Sequence, residues 1–227
     1  THDVQRNVRF QYARCPHGYF LEHVLGVVPQ ELPEELERIS ALDAGQLLHH
    51  ALELFLRKAI GDTASGQVWD EGDRTELAAI GAALCDEVAA AGLAGRELFW
   101  RIDRRSLLAD LDRFLAVDDE HRRERGVAPW LVEHRFDAAE IPLPDGRRLQ
   151  LRGMIDRVDR SEGRIVVIDY KSGKGDDFVR IADRDPVRGG TALQLALYGL
   201  VVADLARRSQ PGEPEPIVEV AYWLISR

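Results

Sequence analysis

Residues 149–173 read LQLRGMIDRVDRSEGRIVVIDYKSG, and their pattern decides the fold class. Arg164–Tyr170 carries Ile165, Val166, Val167 and Ile168 in unbroken succession, an apolar run of strand length that suits a strand buried on both faces. Ser161-Glu162-Gly163 before it reads as a turn, and Leu149–Asp159 as the strand on the turn's other side. If Glu162-Gly163 is a two-residue loop, Ser161 faces Arg164 and Asp156 faces Asp169; a three-residue loop with Gly163 left-handed shifts that register. Asp169 and Lys171 are two apart on one strand and share a face.

Working outward, Leu143-Pro-Asp-Gly-Arg147 is a hairpin turn signal, and Trp130–Phe136 before it has strand composition. After the central strand, Ala192–Arg207 returns to helical periodicity through Leu193, Leu197, Leu200 and Val201. A Pro-rich link at 210–216 leads to a last strand, Ile217–Ile225. The second half is therefore strand, strand, strand, helix, strand. The first half reads as helices: a segment from Phe10 to Leu25 ending at Gly26, then Ala44–Ile60 stopped by Gly61, Thr75–Ala91 and Gly95–Glu124. Gly61–Gly72 reads as a loop, and the charged run Asp118–Arg125 as a solvated helix end. The expected organisation is a helical lobe over 1–126 and an α/β core over 127–227, integrated as one domain.

Composition agrees with a globular fold: of 227 residues, 45% are hydrophobic and 30% charged. No apolar run approaches the ~20 residues of a membrane helix, so no membrane partner is expected. Two cysteines, Cys15 and Cys85, do not make a disulfide framework, and a reducing cytoplasm is the default compartment. The chain starts at Thr1 without Met or an apolar leader, and reads as a piece of a longer one. A net charge of −9 argues against a general basic coat for nucleic acid. From Arg147 to Arg188, however, eleven Lys/Arg stand against eight Asp/Glu, a local +3 that leaves −12 elsewhere. That strip reads either as a mixed solvated surface or as a grip on a phosphate backbone.

Two carboxylates on neighbouring strands repel unless a cation lies between them, so Asp156 with Asp169 points to a divalent metal ion. Taken alone, Asp169 and Lys171 equally suit a surface ion pair on a sheet edge. His49 and His50 lie on an apolar helix, where an isolated His is most often a packing residue. Asp159 is expected to pair with Arg157 or Arg160. Gln194 and Tyr198, four apart, share a helix face.

Together these residues resemble the PD-(D/E)XK nucleases, in the RecB-like branch that includes helicase-associated nuclease domains. The resemblance rests on Gly153-Met-Ile-Asp156-Arg-Val-Asp159, on Asp169-Tyr-Lys171-Ser-Gly173 thirteen residues after Asp156, on Gly45-Gln-Leu-Leu-His49-His-Ala-Leu52-Glu53, and on Gln194-Leu-Ala-Leu-Tyr198. It spans residues 10 to 227. It implies a restriction-endonuclease-like mixed sheet flanked by helices, with the N-terminal helical lobe contributing His49.

The implied activity is metal-dependent hydrolysis of phosphodiester bonds, processing single-stranded DNA or duplex ends in recombination or repair. A fused or associated helicase is the implied partner. Asp156 and Asp169 would hold Mg²⁺ or Mn²⁺ with His49 and the Tyr170 backbone carbonyl. The imidazole tilts the preference towards Mn²⁺. Lys171 would orient the attacking water and stabilise charge on the phosphate, and Gln194 and Tyr198 would contact DNA or hold Lys171. Glu133 matches an acidic position of the branch and is a candidate auxiliary residue, or else a structural ion-pair residue. Cys15 matches one ligand of a [4Fe–4S] cluster, whose other three cysteines would have to come from beyond Arg227; without them Cys15 is a packing residue. The alternative reading is a catalytically silent DNA-binding or scaffold module beside a helicase. Exo- and endonucleolytic cleavage are both compatible with these residues.

Overall fold

In a computed structural model of the chain, the described residues are 15–27, 37–142, 145–172, 187, 192–209, 212 and 214–226. Cys15 opens a helical turn, Pro16–Tyr19, which runs into a π-type turn, Phe20–Val24. The predicted segment from Phe10 to Leu25 is thus helical over its second half, and its first residues lie outside the described ones.

Helix α1 spans Ala41–Ala59. The Ser40 hydroxyl caps it by accepting the Asp43 N–H at 3.0 Å, one of the donors a first turn leaves without a helical partner. Leu47, Leu48, Ala51, Leu52, Phe55 and Leu56 form its buried stripe. Helix α2, Glu71–Ala90, starts with a capping box between Asp70 and Asp73. Helix α3 runs Glu97–Arg125 and stops where Gly126 turns left-handed at φ 62°. All three begin within a few residues of the sequence expectation.

Four strands follow: β1 Ala128–Pro142, β2 Arg148–Ser161, β3 Arg164–Lys171 and, after helix α4 (Gln194–Ser209), β4 Ile217–Leu224. Their order in the sheet is β1-β2-β3-β4, antiparallel for the first two pairs and parallel between β3 and β4. This is a mixed sheet flanked by helices. Strand β1 is twice the predicted length, because pairing with β2 carries it on to Pro142 opposite Arg148. Ser161 pairs with Arg164, so the β2–β3 loop has two residues, and Gly163 takes the φ of +73° that such a turn requires. Strand β3 is buried along its whole apolar run, as its sequence predicts.

One apolar cluster joins α1, α2 and α3 to one side of the sheet through Val132, Val166, Ile168 and Tyr170. A second lies between α4 and the sheet around Val158, Ile165, Val167, Tyr198 and Val202.

The charged run at the end of α3 departs from the sequence expectation. Asp118, Asp119, His121 and Arg122 are buried rather than solvated, with Asp118 and Arg122 at 0% exposure. Trp69, in the loop before α2, donates from its indole to Asp118 and from its backbone N–H to Asp119, both at 2.7 Å. The Arg122 guanidinium lies 4.0 Å from the Trp69 ring. From the sheet, the fully buried Arg157 reaches Asp118 at 2.6 Å and grips both oxygens of Asp159 at 2.6 and 2.7 Å. His121 stands 3.3 Å from Asp159. The run is thus divided: Glu120, Arg123 and Glu124 are exposed as expected, and the other face of the helix turns Asp118, Asp119, His121 and Arg122 to the sheet's own charges. Asp159 does pair with Arg157, and Arg160 instead lies over the Trp130 ring at 4.8 Å. With Arg157 inside the molecule, the Arg147–Arg188 strip is not one continuous basic surface; residues 173–186 of it lie outside the described ones.

Candidate functional site

The end of β3 and the middle of β2 meet at Asp156. The β2–β3 ladder ends at Arg157 opposite Ile168, and beyond it the Asp156 side chain enters the gap: its Oδ2 accepts the Tyr170 N–H at 2.9 Å. Asp156 is therefore buried, at 3% exposure, and anchored between the residues that flank Tyr170.

Helix α1 delivers His49 to the same place. Its Nδ1 is 3.5 Å from Asp156 Oδ2, and its ring meets Tyr170 edge-on with centroids 5.8 Å apart. Gly45, one turn earlier, makes this approach possible. A Cβ there would sit 2.3 Å from Ser172 Oγ and 3.3 Å from its Cβ, so glycine lets α1 lie against the end of β3 with the Ser172 hydroxyl where it stands. Glu133 on β1 completes the group: ligand atoms of His49, Glu133 and Asp156 all lie within 4.8 Å of one another. Glu133 also adopts φ +47°, a left-handed conformation rare for a residue with a long side chain and found where a site constrains the backbone.

Asp169 lies beside this group, buried at 1% exposure. Lys171 Nζ contacts Asp169 Oδ2. Gln194, the first residue of α4, donates from Nε2 to Asp169 at 2.7 Å and to the Tyr198 hydroxyl at 3.1 Å, while its Oε1 accepts from Lys171 at 3.2 Å. One amide thus uses both donors and its acceptor to hold the acid and the base together. Burial, then the neighbouring Asp156, push the Asp169 carboxyl up to about 6, against the pull of Lys171. Lys171 also lies 5.1 Å from the Tyr222 ring on β4, the residue paired in register with Asp169. Burial, then Asp169, raise the Tyr222 hydroxyl to about 12.

Of the sequence candidates, His49, Asp156, Asp169, Tyr170, Lys171, Gln194, Tyr198 and Glu133 fall in this one region. Cys15 is exposed and caps its own helical turn, its sulfur accepting the Gly18 N–H at 3.3 Å, while Cys85 is buried in α2. His50 is not the packing residue expected of it: it is exposed and lines a cleft beside His49. Tyr222 has no sequence signal, since only the parallel β3–β4 register brings it to Lys171. Glu53 and Arg57 belong to the same cleft; Glu53 stands in the His49 motif four residues after His49, and that spacing, which puts both on one helix face, is the signal that could have found it.

A cation suits this donor set: the carboxylates of Glu133 and Asp156 with the His49 imidazole are hard and borderline donors, and the buried Asp169 lies beside them.

The sequence matches the PD-(D/E)XK nuclease superfamily over residues 10–227. It is 33% identical over 208 residues to an ATP-dependent helicase/deoxyribonuclease subunit of Moorella thermoacetica, covering 86% of this chain and 17% of that protein. The corresponding ATP-dependent helicase/deoxyribonuclease subunits of Symbiobacterium thermophilum and Geobacillus kaustophilus are 32% and 28% identical, over 90% and 94% of this chain and 18% and 19% of theirs. The chain spans less than a fifth of the length of these relatives.

Proposed function

Because the chain belongs to the PD-(D/E)XK nuclease superfamily, we propose that it is a metal-dependent deoxyribonuclease domain that hydrolyses phosphodiester bonds in single strands or at DNA ends. The observation that carries this reading is the convergence of His49, Glu133 and Asp156, with the buried Asp169 beside them bonded to a lysine that Gln194 holds. His49, Glu133, Asp156, Asp169 and the Tyr170 carbonyl would hold Mg²⁺ or Mn²⁺, the imidazole favouring Mn²⁺. Bound there, the cation would lower the pKa of water and polarise the phosphate.

The chain's own residues do the rest. Asp169 fixes Lys171 at the edge of the group, with the ammonium turned to where a phosphate oxygen or an attacking water would stand. Gln194, itself bonded to the Tyr198 hydroxyl, keeps that ammonium from swinging away, and the Tyr222 ring lies against it. The buried setting strengthens each charge contact by excluding water.

The presence of Asp156, Asp169 and Lys171 together favours catalysis over a silent DNA-binding module. By likeness to the helicase/deoxyribonuclease relatives, the setting is DNA recombination or repair in the cytoplasm, with a helicase fused or bound. The test is cleavage of linear single-stranded DNA with Mn²⁺ or Mg²⁺ by the wild type and by Asp169→Asn and Lys171→Ala. Cleavage lost in both variants, with unchanged circular dichroism, is the expected result; wild-type rates in both overturn the assignment.

A further inference from the structure

We propose that α1 carries a second phosphate-binding position, built around Arg57, that grips single-stranded DNA away from the bond being cut. This rests on the nuclease reading above and concerns the cleft that leads out of the site.

The cleft holds about 530 Å³, and on its α1 side it runs from Leu42, past His49, to Arg57. One wall is a single stripe of α1, with Gln46, His49, Glu53 and Arg57 recurring every three or four residues. The other is β1 and β2, with Glu133 and Arg135 among its residues. A space of this size takes a small organic ligand or a short run of one strand.

Glu53 organises the far end. Its Oε1 accepts from Arg57 Nε and Nη2, each at 2.9 Å, and its Oε2 is 3.1 Å from His50 Nδ1. Partial burial raises the Glu53 carboxyl, and the bonds from His50 and Arg57 outweigh it, so the group stays below the usual carboxylate range. The carboxylate is thus committed to orienting Arg57. Two of the guanidinium nitrogens face Glu53, and Nη1 remains for an incoming phosphate oxygen. Arg57 is half exposed and makes its ion pair within its own helix, so it does not hold the fold together.

The spacing fits a neighbouring phosphate rather than the reacting one. The Arg57 head lies one to two helical turns beyond His49, roughly 6–12 Å along the axis. That is about two or three nucleotides at the ~3.4 Å rise of a stacked strand. Helix α1 would then act as a rail, with the reacting phosphate at His49 and Asp156 and a second phosphate further along.

The experiment is fluorescence anisotropy of a labelled oligothymidylate, with Ca²⁺ as the cation, over a series of salt concentrations, beside cleavage assays with Mn²⁺. Arg57→Ala should weaken single-strand binding about tenfold and reduce the slope of log affinity against log salt by ~0.7, the value for one lost phosphate contact on a single strand. Arg57→Lys should recover most of the slope, and circular dichroism should match the wild type throughout. If the wild type binds and cleaves DNA while Arg57→Ala keeps its affinity and slope, the Arg57 position is overturned and the nuclease reading stands. A loss confined to duplex binding also overturns it. A wild type that neither binds nor cleaves DNA overturns the nuclease reading, and this position with it.

Discussion

Two clusters of buried charge lie side by side on β2, and they are balanced differently. Around Arg157, the carboxylates of Asp118, Asp119 and Asp159 meet the guanidinium groups of Arg157, Arg122 and the partly exposed Arg74, so nearly every charge has its opposite within hydrogen-bond reach. Around Asp156, three carboxylates face one lysine, and Asp169 is left with a raised pKa. Adjacent residues of one strand, Asp156 and Arg157, thus serve opposite ends. The second closes a network that ties α3 to the sheet; the first leaves an excess of negative charge that a cation would complete. Burial alone does not distinguish a site from a strut here, but charge balance does.

The largest effect should come from breaking the balanced cluster. Arg157→Met removes the guanidinium that grips both oxygens of Asp159 and one oxygen of Asp118, and should cost about 3–5 kcal/mol of stability, because the Asp159 carboxylate stays buried without its guanidinium partner. Urea unfolding followed by circular dichroism reads this directly. A midpoint shift corresponding to under ~1 kcal/mol would mean that water reaches the cluster and that the two regions do not differ as argued.

The unbalanced cluster should respond the other way round. Asp169→Asn should lower the cleavage rate more than a hundredfold, over ~2.7 kcal/mol in the barrier. The metal-free protein at neutral pH should keep or gain stability, since a strained buried charge has gone. Rate and melting temperature measured on one preparation separate the two. A variant that loses stability and keeps its rate would exchange the roles assigned to the clusters.

The two regions should also carry opposite pH signatures. The Asp169 carboxyl is raised to about 6, so the folded metal-free protein binds its proton more tightly than the unfolded chain does. That stability is fully present below the ordinary carboxylate pKa of ~4 and is lost as pH rises through about 6, an effect of roughly 2–3 kcal/mol. Asp159 is the reverse: burial opposes its ionisation, but Arg157 outweighs burial and holds it below the usual range. Its contribution is present above ~4 and lost as pH falls through the lowered value. Unfolding measured with EDTA should therefore show the stability difference between the wild type and Asp169→Asn falling as pH rises from ~4 to ~7. A difference that stays flat or grows with pH would contradict the raised Asp169.

The smallest effect sharpens the comparison. Gln194→Ala should slow cleavage about tenfold, near ~1.4 kcal/mol, while changing stability by less than that, because Asp169 loses one donor and keeps Lys171 as its partner. Equal losses in rate and stability would make Gln194 a structural residue only.

Much of this was legible beforehand. The apolar run from Ile165 to Ile168 identified the inner strand, because a strand covered on both faces has no polar side to show. Glu162-Gly163 anticipated a tight turn, since Gly alone takes its left-handed position at no steric cost. The four motifs named the family, and His49, Asp156, Asp169, Lys171, Gln194 and Tyr198 fall within one region.

What stayed hidden depended on distance in space. Asp118–Arg125 looked like a helix end in water, because composition cannot say which charges will be met by others from a strand dozens of residues away. Tyr222 needed the β3–β4 register, Glu133's approach needed an unusual backbone turn, and Glu53 and Arg57 needed the angle at which α1 crosses the sheet. Local patterns encode hydrogen-bonding period and burial, which the chain determines within a few residues. Pairing of charges across elements is decided only when the elements pack, and with it whether a buried carboxylate becomes a strut or a site for a cation.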